Sequence, residues 1–175
     1  MRKHFILFGL LLIQFIVAMD VTILNTTAPV VVEELGGMHL YGWVFAIYTL
    51  ISTVLVPIFG KFSDRFGRKK IFLISIIVFL LFSLMCGLAS SMEQLIIYRA
   101  LKGVGAGGIN ALTIVIASDL LGVEKRAKFQ GHLSVVWGIA AFSAPVIGSL
   151  IVEYFHWKWI FFVNVPFGVA ALLAV

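Results

Sequence analysis

Charge is what this 175-residue chain has least of. Only 12% of its residues are Asp, Glu, Lys or Arg, against roughly 25% in a soluble domain, too few to cover a water-facing surface. The net charge of +5 would suit a nucleic-acid partner, but the basic residues are confined to segment ends and loops, which excludes that class. A single cysteine, Cys86, excludes an intrachain disulfide; inside an apolar run it reads as a small packing residue. The histidines, His4, His39, His132 and His156, have no metal-site spacing, so no metal is expected. No run alternates polar and apolar residues with period two, which excludes a membrane β-barrel. No nucleophile–base set stands out to support an enzyme. The glycine-rich stretch 103–108 lacks the G-K-[ST] ending of a phosphate loop.

What the chain does have is apolar length. Hydrophobic residues make up 62% of it and the mean hydropathy is +1.12. At about 20 apolar residues per crossing, the chain holds six spans, placed at 5–32, 40–59, 71–89, 95–121, 133–152 and 159–175. Backbone amides in lipid must be satisfied within their own segment, so the spans are helices. The expected fold class is all-α: a polytopic membrane protein with the lipid bilayer as its first partner. Met1-Arg2-Lys3-His4 and the apolar run after it resemble a signal peptide, but no small-x-small cleavage site precedes Asp20. The segment reads as an uncleaved first span, tilted or bent near Pro29.

Lysine and arginine set the direction. With the N-terminus cytoplasmic, ten of these residues fall in inner segments and only Lys158 in an outer one. Tyr41, Trp43, Tyr154, Trp157 and Trp159 gather near the outer ends, where interfacial aromatics belong. A multi-pass protein of the cell (plasma) membrane is expected. The sequence ends inside its sixth span, so a fragment or truncated product of something larger is expected.

Three charges fall where lipid does not tolerate them. Asp20 lies roughly 18 Å below the outer end of the first span, counting ~1.5 Å per residue. Arg99 and Lys102 lie one turn apart in the fourth. A charge at mid-membrane costs at least ~2.5–3.5 kcal/mol and therefore faces a cavity or a partner. One reading has Asp20 on the wall of a polar cavity, exchanging a proton or meeting a cationic substrate, with Arg99 or Lys102 as its partner; Lys102 matches its depth slightly better. The other is an ion pair that only locks two helices. Asn25 and Thr22 are further candidates for ligand contact, although threonine hydroxyls in spans commonly bond back to the preceding turn.

The fourth span carries Gly103, Gly105, Gly107 and Gly108. The fifth carries Ala140, Ala144 and Gly148 at four-residue spacing, with Pro145 beside them. Such stripes let helix backbones approach closely and permit sliding; Pro145 favours a bend.

Between the second and third spans runs Gly60-Lys61-Phe62-Ser63-Asp64-Arg65-Phe66-Gly67-Arg68-Lys69, read as a charged loop in which Gly60 and Gly67 permit tight turns. Its pattern, G-x-x-x-D-R-x-G-R-K, resembles the signature loop of major facilitator superfamily transporters. Arg99-Ala100-Leu101-Lys102-Gly103-Val104-Gly105 is similar to that family's fourth-helix motif R-x-x-Q-G-x-G, with Lys102 in place of Gln. Ala144-Pro145-Val146-Ile147-Gly148-Ser149 resembles the antiporter motif G-P-x-x-G-G, with Ala144 and Ser149 in place of two glycines. Met19–Asn25 with Pro29, and Trp157–Pro166, are similar to signatures of the fourteen-helix drug:H+ antiporter subfamily.

The resemblance covers essentially the whole chain. It implies an N-terminal six-helix bundle of two inverted three-helix repeats, with the C-terminal half absent and therefore a missing partner. It implies that Asp64 caps a helix of the other half, that Arg68 reaches Asp119 as a cytoplasmic latch, and that Arg65 belongs to the same gate. It further implies proton-coupled efflux of drugs or other amphipathic or cationic small molecules by alternating access. The proton gradient would drive it without a cofactor, with substrate and proton competing at Asp20. The alternative is a non-transporting membrane fragment that is inert or associates with another half-transporter.

Overall fold

The computed structural model describes residues 2–175. Met1 and the side chains of Arg2, Val123 and Glu124 lie outside the described residues; Met1 and Arg2 belong to the basic start counted above. Every long element is helical. α1 runs Arg2–Leu35, α2 Tyr41–Phe66, α3 Arg68–Gly87, α4 Met92–Leu121, α5 Val123–Tyr154, α6 Trp159–Phe162 and α7 Asn164–Ala174, with a 3-10 turn at Met38–Leu40 before α2. Five of these are long and apolar enough to cross a membrane, and a shorter apolar pair occupies Trp159–Ala174. α1, at 34 residues, is about 51 Å long at 1.5 Å per residue, well beyond the ~30 Å of a hydrocarbon core.

The connections are shorter than the sequence suggested. The expected charged loop 60–69 is mostly helix. α2 continues through Gly60, Asp64 and Arg65 to Phe66, and the reversal rests on Gly67 alone, at φ 94°. Gly60 is therefore not a turn residue. No residue between 58 and 66 breaks a helix strongly enough to stop it, whereas the positive φ at 67 suits glycine. Gly122, at φ 78°, makes the same single-residue reversal between α4 and α5. α4 begins with a reciprocal cap: Gln94 N–H donates to Ser91 Oγ and Ser90 N–H donates to Gln94 Oε1.

α4 is the centre of the bundle, held between α2 and α3, and α1 lies along α5. The glycines explain how α4 fits. A Cβ on Gly103 or Gly107 would sit 2.9 Å from Tyr48 O or 2.8 Å from Ser52 O, on α2; one on Gly105 would sit 2.5 Å from Phe79 N, on α3. Gly148 brings α5 against Ile23 of α1, where a Cβ would lie 3.1 Å from Ile23 Cγ1. The apolar interior forms two clusters. One, toward the Leu35 end of α1, includes Met19, Leu24, Val44, Trp157 and Phe161. The other, toward the Arg2 end of α1, includes Leu10, Ile13, Tyr48, Phe72, Phe79 and Leu112. Large side chains such as Phe142 and Leu173 lie almost fully exposed around the periphery, which suits contact with acyl chains rather than water.

Two aromatic placements differ from expectation. Trp43, Tyr154 and Trp159 are exposed, but Trp157 and Tyr41 are buried. Trp157 Nε1–H donates to Glu34 Oε2 at 2.7 Å, and Tyr41 O–H donates to Leu24 O at 2.8 Å. Each ring brings a polar tip that an acceptor satisfies, an exposed carboxylate for Trp157 and a backbone carbonyl for Tyr41.

Candidate functional site

Asp20, Arg99 and Lys102 meet in the interior. The carboxylate of Asp20, on α1, takes Arg99 Nη1 at 2.5 Å on one oxygen and Lys102 Nζ at 2.5 Å on the other, both from α4. Both candidate partners are thus engaged, one per oxygen, because a spacing of three residues puts Arg99 and Lys102 on the same face of the helix. Asn164 Nδ2, at the start of α7, adds a third bond to Asp20 at 3.2 Å.

Surrounding groups complete the set. Arg99 Nε donates to Val44 O at 3.2 Å, and its guanidinium lies 4.0 Å from the centre of the Tyr48 ring. Lys102 Nζ also donates to Ser83 Oγ at 2.9 Å and sits between the rings of Phe79 and Phe161. Ser83 donates to Phe161 O and accepts from Asn164 Nδ2 at 3.1 Å. Each cation is bracketed by one residue from each of the two apolar clusters, so the ionic cluster occupies the seam between them. Two buried polar atoms beside it, Tyr48 Oη and Asn164 Oδ1, have no partner among the described residues.

Asp20 is 0% exposed, Lys102 0% and Arg99 1%. The expectation of a carboxylate on a cavity wall is corrected here: packing of α1, α2, α3, α4 and α7 seals the group. Rarity of charge could announce the residues, but not which face of α1 looks inward. Asn25 does not join them. It is five residues from Asp20, about 140° around the helix, and is exposed. Thr22 and Thr27 return their hydroxyls to backbone carbonyls of the preceding turn, as threonine in spans commonly does.

At the reversal between α2 and α3, Arg68 bridges two acids. It bonds both oxygens of Asp119, at the end of α4, and reaches Asp64 Oδ1 at 3.4 Å one turn back across the Gly67 break. Arg65 is exposed, with its guanidinium 5.5 Å from the ring centre of Phe66.

A second polar group was not singled out from the sequence. Gln14 of α1, 4% exposed, donates to Asn110 Oδ1 at 3.2 Å and to Thr113 Oγ1 at 3.1 Å, both on α4, and accepts from Trp137 Nε1 of α5 at 3.4 Å. Beside it opens a cleft of about 480 Å³, lined by Gln14, Asn110, Ile114, Gln130, Leu133, Ser134 and Trp137. A lone Gln in a long apolar run was the available signal.

With this geometry in place, comparison with known proteins is decisive. Residues 10–175 match the model of the Major Facilitator Superfamily. The chain belongs to that family. It is 37% identical over 174 residues to "Multidrug transporter protein MdtP" of Bacillus subtilis (strain 168), covering 99% of the chain and 32% of that protein. It is 39% identical over 171 residues to "Multidrug resistance protein 3" of the same organism, covering 98% and 33%. It is 34% identical over 174 residues to "Efflux pump FUS6" of Gibberella moniliformis, covering 99% and 31%. Among solved structures, an inward-facing, unoccupied bacterial homolog of the human lysosomal transporter Spinster superposes with a TM-score of 0.78 at 18% identity, covering 99% of this chain and 41% of that one; this similarity speaks to the fold. The chain spans about a third of the length of the three named relatives. Membership of a transporter family, with apolar helices of spanning length, makes this a membrane protein and not an enzyme.

Proposed function

We propose that the protein works as a proton-coupled exporter of drugs or other amphipathic small molecules, cations among them, by alternating access, in the fourteen-helix branch of the drug:H+ antiporters. In this reading a C-terminal half completes the cavity, the plasma membrane is the site of action, the N-terminus is cytoplasmic, and the proton gradient supplies the energy without a cofactor. The relatives named for multidrug transport and efflux support the class of cargo. The ion cluster carries the mechanism: one carboxylate of α1 holds two cations of α4 in a place with no exposed surface.

A proton that reaches Asp20 removes the counter-charge of both cations. Arg99 and Lys102 then repel, and α1 loses its ionic tie to α4. Asn164 Oδ1 is a spare acceptor beside the protonated acid. Loss of the proton restores the tie. Because the carboxylate is sealed, cargo does not compete for it directly in this arrangement; proton and cargo act through α1, each favouring one setting of that helix. The contacts at Gly103, Gly105, Gly107 and Gly148 supply close helix faces over which a small displacement can occur. Pro145 leaves α5 able to bend within the antiporter motif. Arg68 with Asp119 latches the inner end, and Asp64, Arg65 and Gly67 position that latch, with Asp64 free on its outer side to meet a helix N-terminus of the other half.

The test is transport by the full-length protein in liposomes with an imposed pH gradient. Asp20→Asn combined with Lys102→Gln keeps the cluster at one net positive charge while deleting the titratable acid. We expect the gradient to accelerate cargo movement in the parent protein and to have no effect in the double variant. Acceleration that persists in the double variant removes Asp20 from the coupling.

A further inference from the structure

We propose that Asn164 is a two-position switch: its amide turns end for end when Asp20 gains a proton, and Ser83 passes that turn to the break between α6 and α7. This rests on the exporter reading above and deepens it, by naming the residue that reports the proton beyond α1.

The bonds around Asp20 leave one atom over. Every side chain bonded to the carboxylate is a donor: Arg99 Nη1, Lys102 Nζ and Asn164 Nδ2. Asn164 Nδ2 is shared, donating to Asp20 Oδ1 at 3.2 Å and to Ser83 Oγ at 3.1 Å. Ser83 is saturated. Its oxygen accepts from Lys102 Nζ at 2.9 Å and from Asn164, and its hydrogen goes to Phe161 O at 2.9 Å. In this chain of bonds only Asn164 Oδ1, on a fully buried side chain, has no partner among the described residues.

That arrangement suits an ionised acid. The carboxylate holds the amide nitrogen toward itself and keeps the amide oxygen away. A protonated Asp20 has an O–H to place, and the groups bonded to it are all donors. The terminal torsion of an Asn side chain is broad and roughly two-fold, so half a turn brings the spare oxygen to where the nitrogen stood. There it accepts from Asp20 and from Ser83, whose hydrogen leaves Phe161 O. The nitrogen needs an acceptor in turn. The Phe161 carbonyl, three residues back, has been given up, and Asn side chains bond carbonyls at that spacing. The trade leaves no new carbonyl unpaired.

The consequence is mechanical. With Asp20 ionised, α6 is tied to α3 through Ser83 and Phe161 O. With the amide turned, that tie becomes a bond within the break itself, and α6 is released from α3. Pro166 has no N–H to offer Phe162 O, so the helix does not run on regularly from α6 into α7, and the last carbonyls of α6 rely on side chains. The charged groups facing Asp20 are Arg99 and Lys102 of α4. Tyr48 of α2 and Cys86 of α3 lie near enough to sense its charge, and neither gains or loses a proton in the acid range.

Infrared difference spectra of the full-length protein in lipid, acid minus neutral, with asparagine carrying carbon-13 at its side-chain carbonyl, test this. An amide oxygen that gains hydrogen bonds absorbs at lower frequency. One labelled band should move down on acidification, be missing in Asn164→Leu, and stay fixed in the Asp20→Asn/Lys102→Gln protein. Amide hydrogen exchange over residues 159–166, corrected for its intrinsic pH dependence, should speed up about tenfold on acidification, as the loss of one hydrogen bond would give. It should not respond to pH in Asn164→Leu, nor in Ser83→Ala, which keeps the band shift. Asparagine bands that acidification leaves unmoved in the parent protein overturn the proposal without any variant having to fold. An exchange response that survives undiminished in Ser83→Ala also overturns it. Failure of the exporter reading looks different: band and exchange respond as expected, yet a pH gradient moves no cargo across liposomes.

Discussion

Asp20 holds one negative charge against two positive ones with no exposed surface on any of the three. Removing the single acid of this set leaves buried cations uncompensated, at about 3–5 kcal/mol. Asp20→Asn alone should therefore lower the thermal stability of the purified protein sharply, while Lys102→Gln, which retains donors and leaves a neutral Arg99–Asp20 pair, should be nearly neutral or stabilising. Combining the two should recover most of the stability lost in Asp20→Asn. A melting curve of each variant in one detergent decides this, and additive losses would count against a coupled cluster. These three residues were legible in the sequence because charge is so rare in the apolar runs that each instance needs a partner. Gln14 and Trp137 were not legible, because an uncharged polar or aromatic residue in a span satisfies itself in many ways. Trp157 and Tyr41 fail as belt residues for a related reason: a buried aromatic with a satisfied polar tip and an interfacial one have the same local sequence.

Among the elements, α4 is the one whose packing tolerates least change. Gly105→Ala would place a methyl 2.5 Å from Phe79 N and 2.7 Å from Ser75 O, both backbone atoms that cannot step aside. Overpacking of this kind costs about 1–3 kcal/mol. On α5 nothing lies within 4 Å of a Cβ on Gly131 or Gly138, so alanine there should stabilise by up to roughly 1 kcal/mol through helix propensity. Thermal unfolding of the three single variants checks the contrast; equal shifts would mean that α4 is not tightly seated. The helices themselves were readable from hydropathy and length, and the glycine stripes from their spacing. Their ends were not: α2 passes through the charged stretch as far as Gly67 because Lys, Arg, Asp and Phe all continue a helix readily, and only a positive φ stops it. The helix boundary here is set by backbone geometry and not by charge.

Across the whole molecule, the sealed ion cluster, the uncharged cleft beside Gln14 and the Arg68–Asp119 pair follow one another along α4, at Arg99 and Lys102, at Asn110 and at Asp119. The pair is substantially exposed, so solvent screening leaves it little weight in stability. Asp119→Asn should leave the melting temperature almost unchanged but increase labelling, from the inner side, of a cysteine placed at Ser134 in the cleft. Unchanged labelling would assign Arg68 to topology alone. The most direct test of the account as a whole is proton release on cargo binding, recorded by a pH indicator in weakly buffered detergent solution with the full-length protein. If Asp20 exchanges its proton against cargo through α1, adding saturating cargo should release about one proton per molecule, and the Asp20→Asn/Lys102→Gln protein should bind cargo and release none. Undiminished release from that double variant would contradict the account.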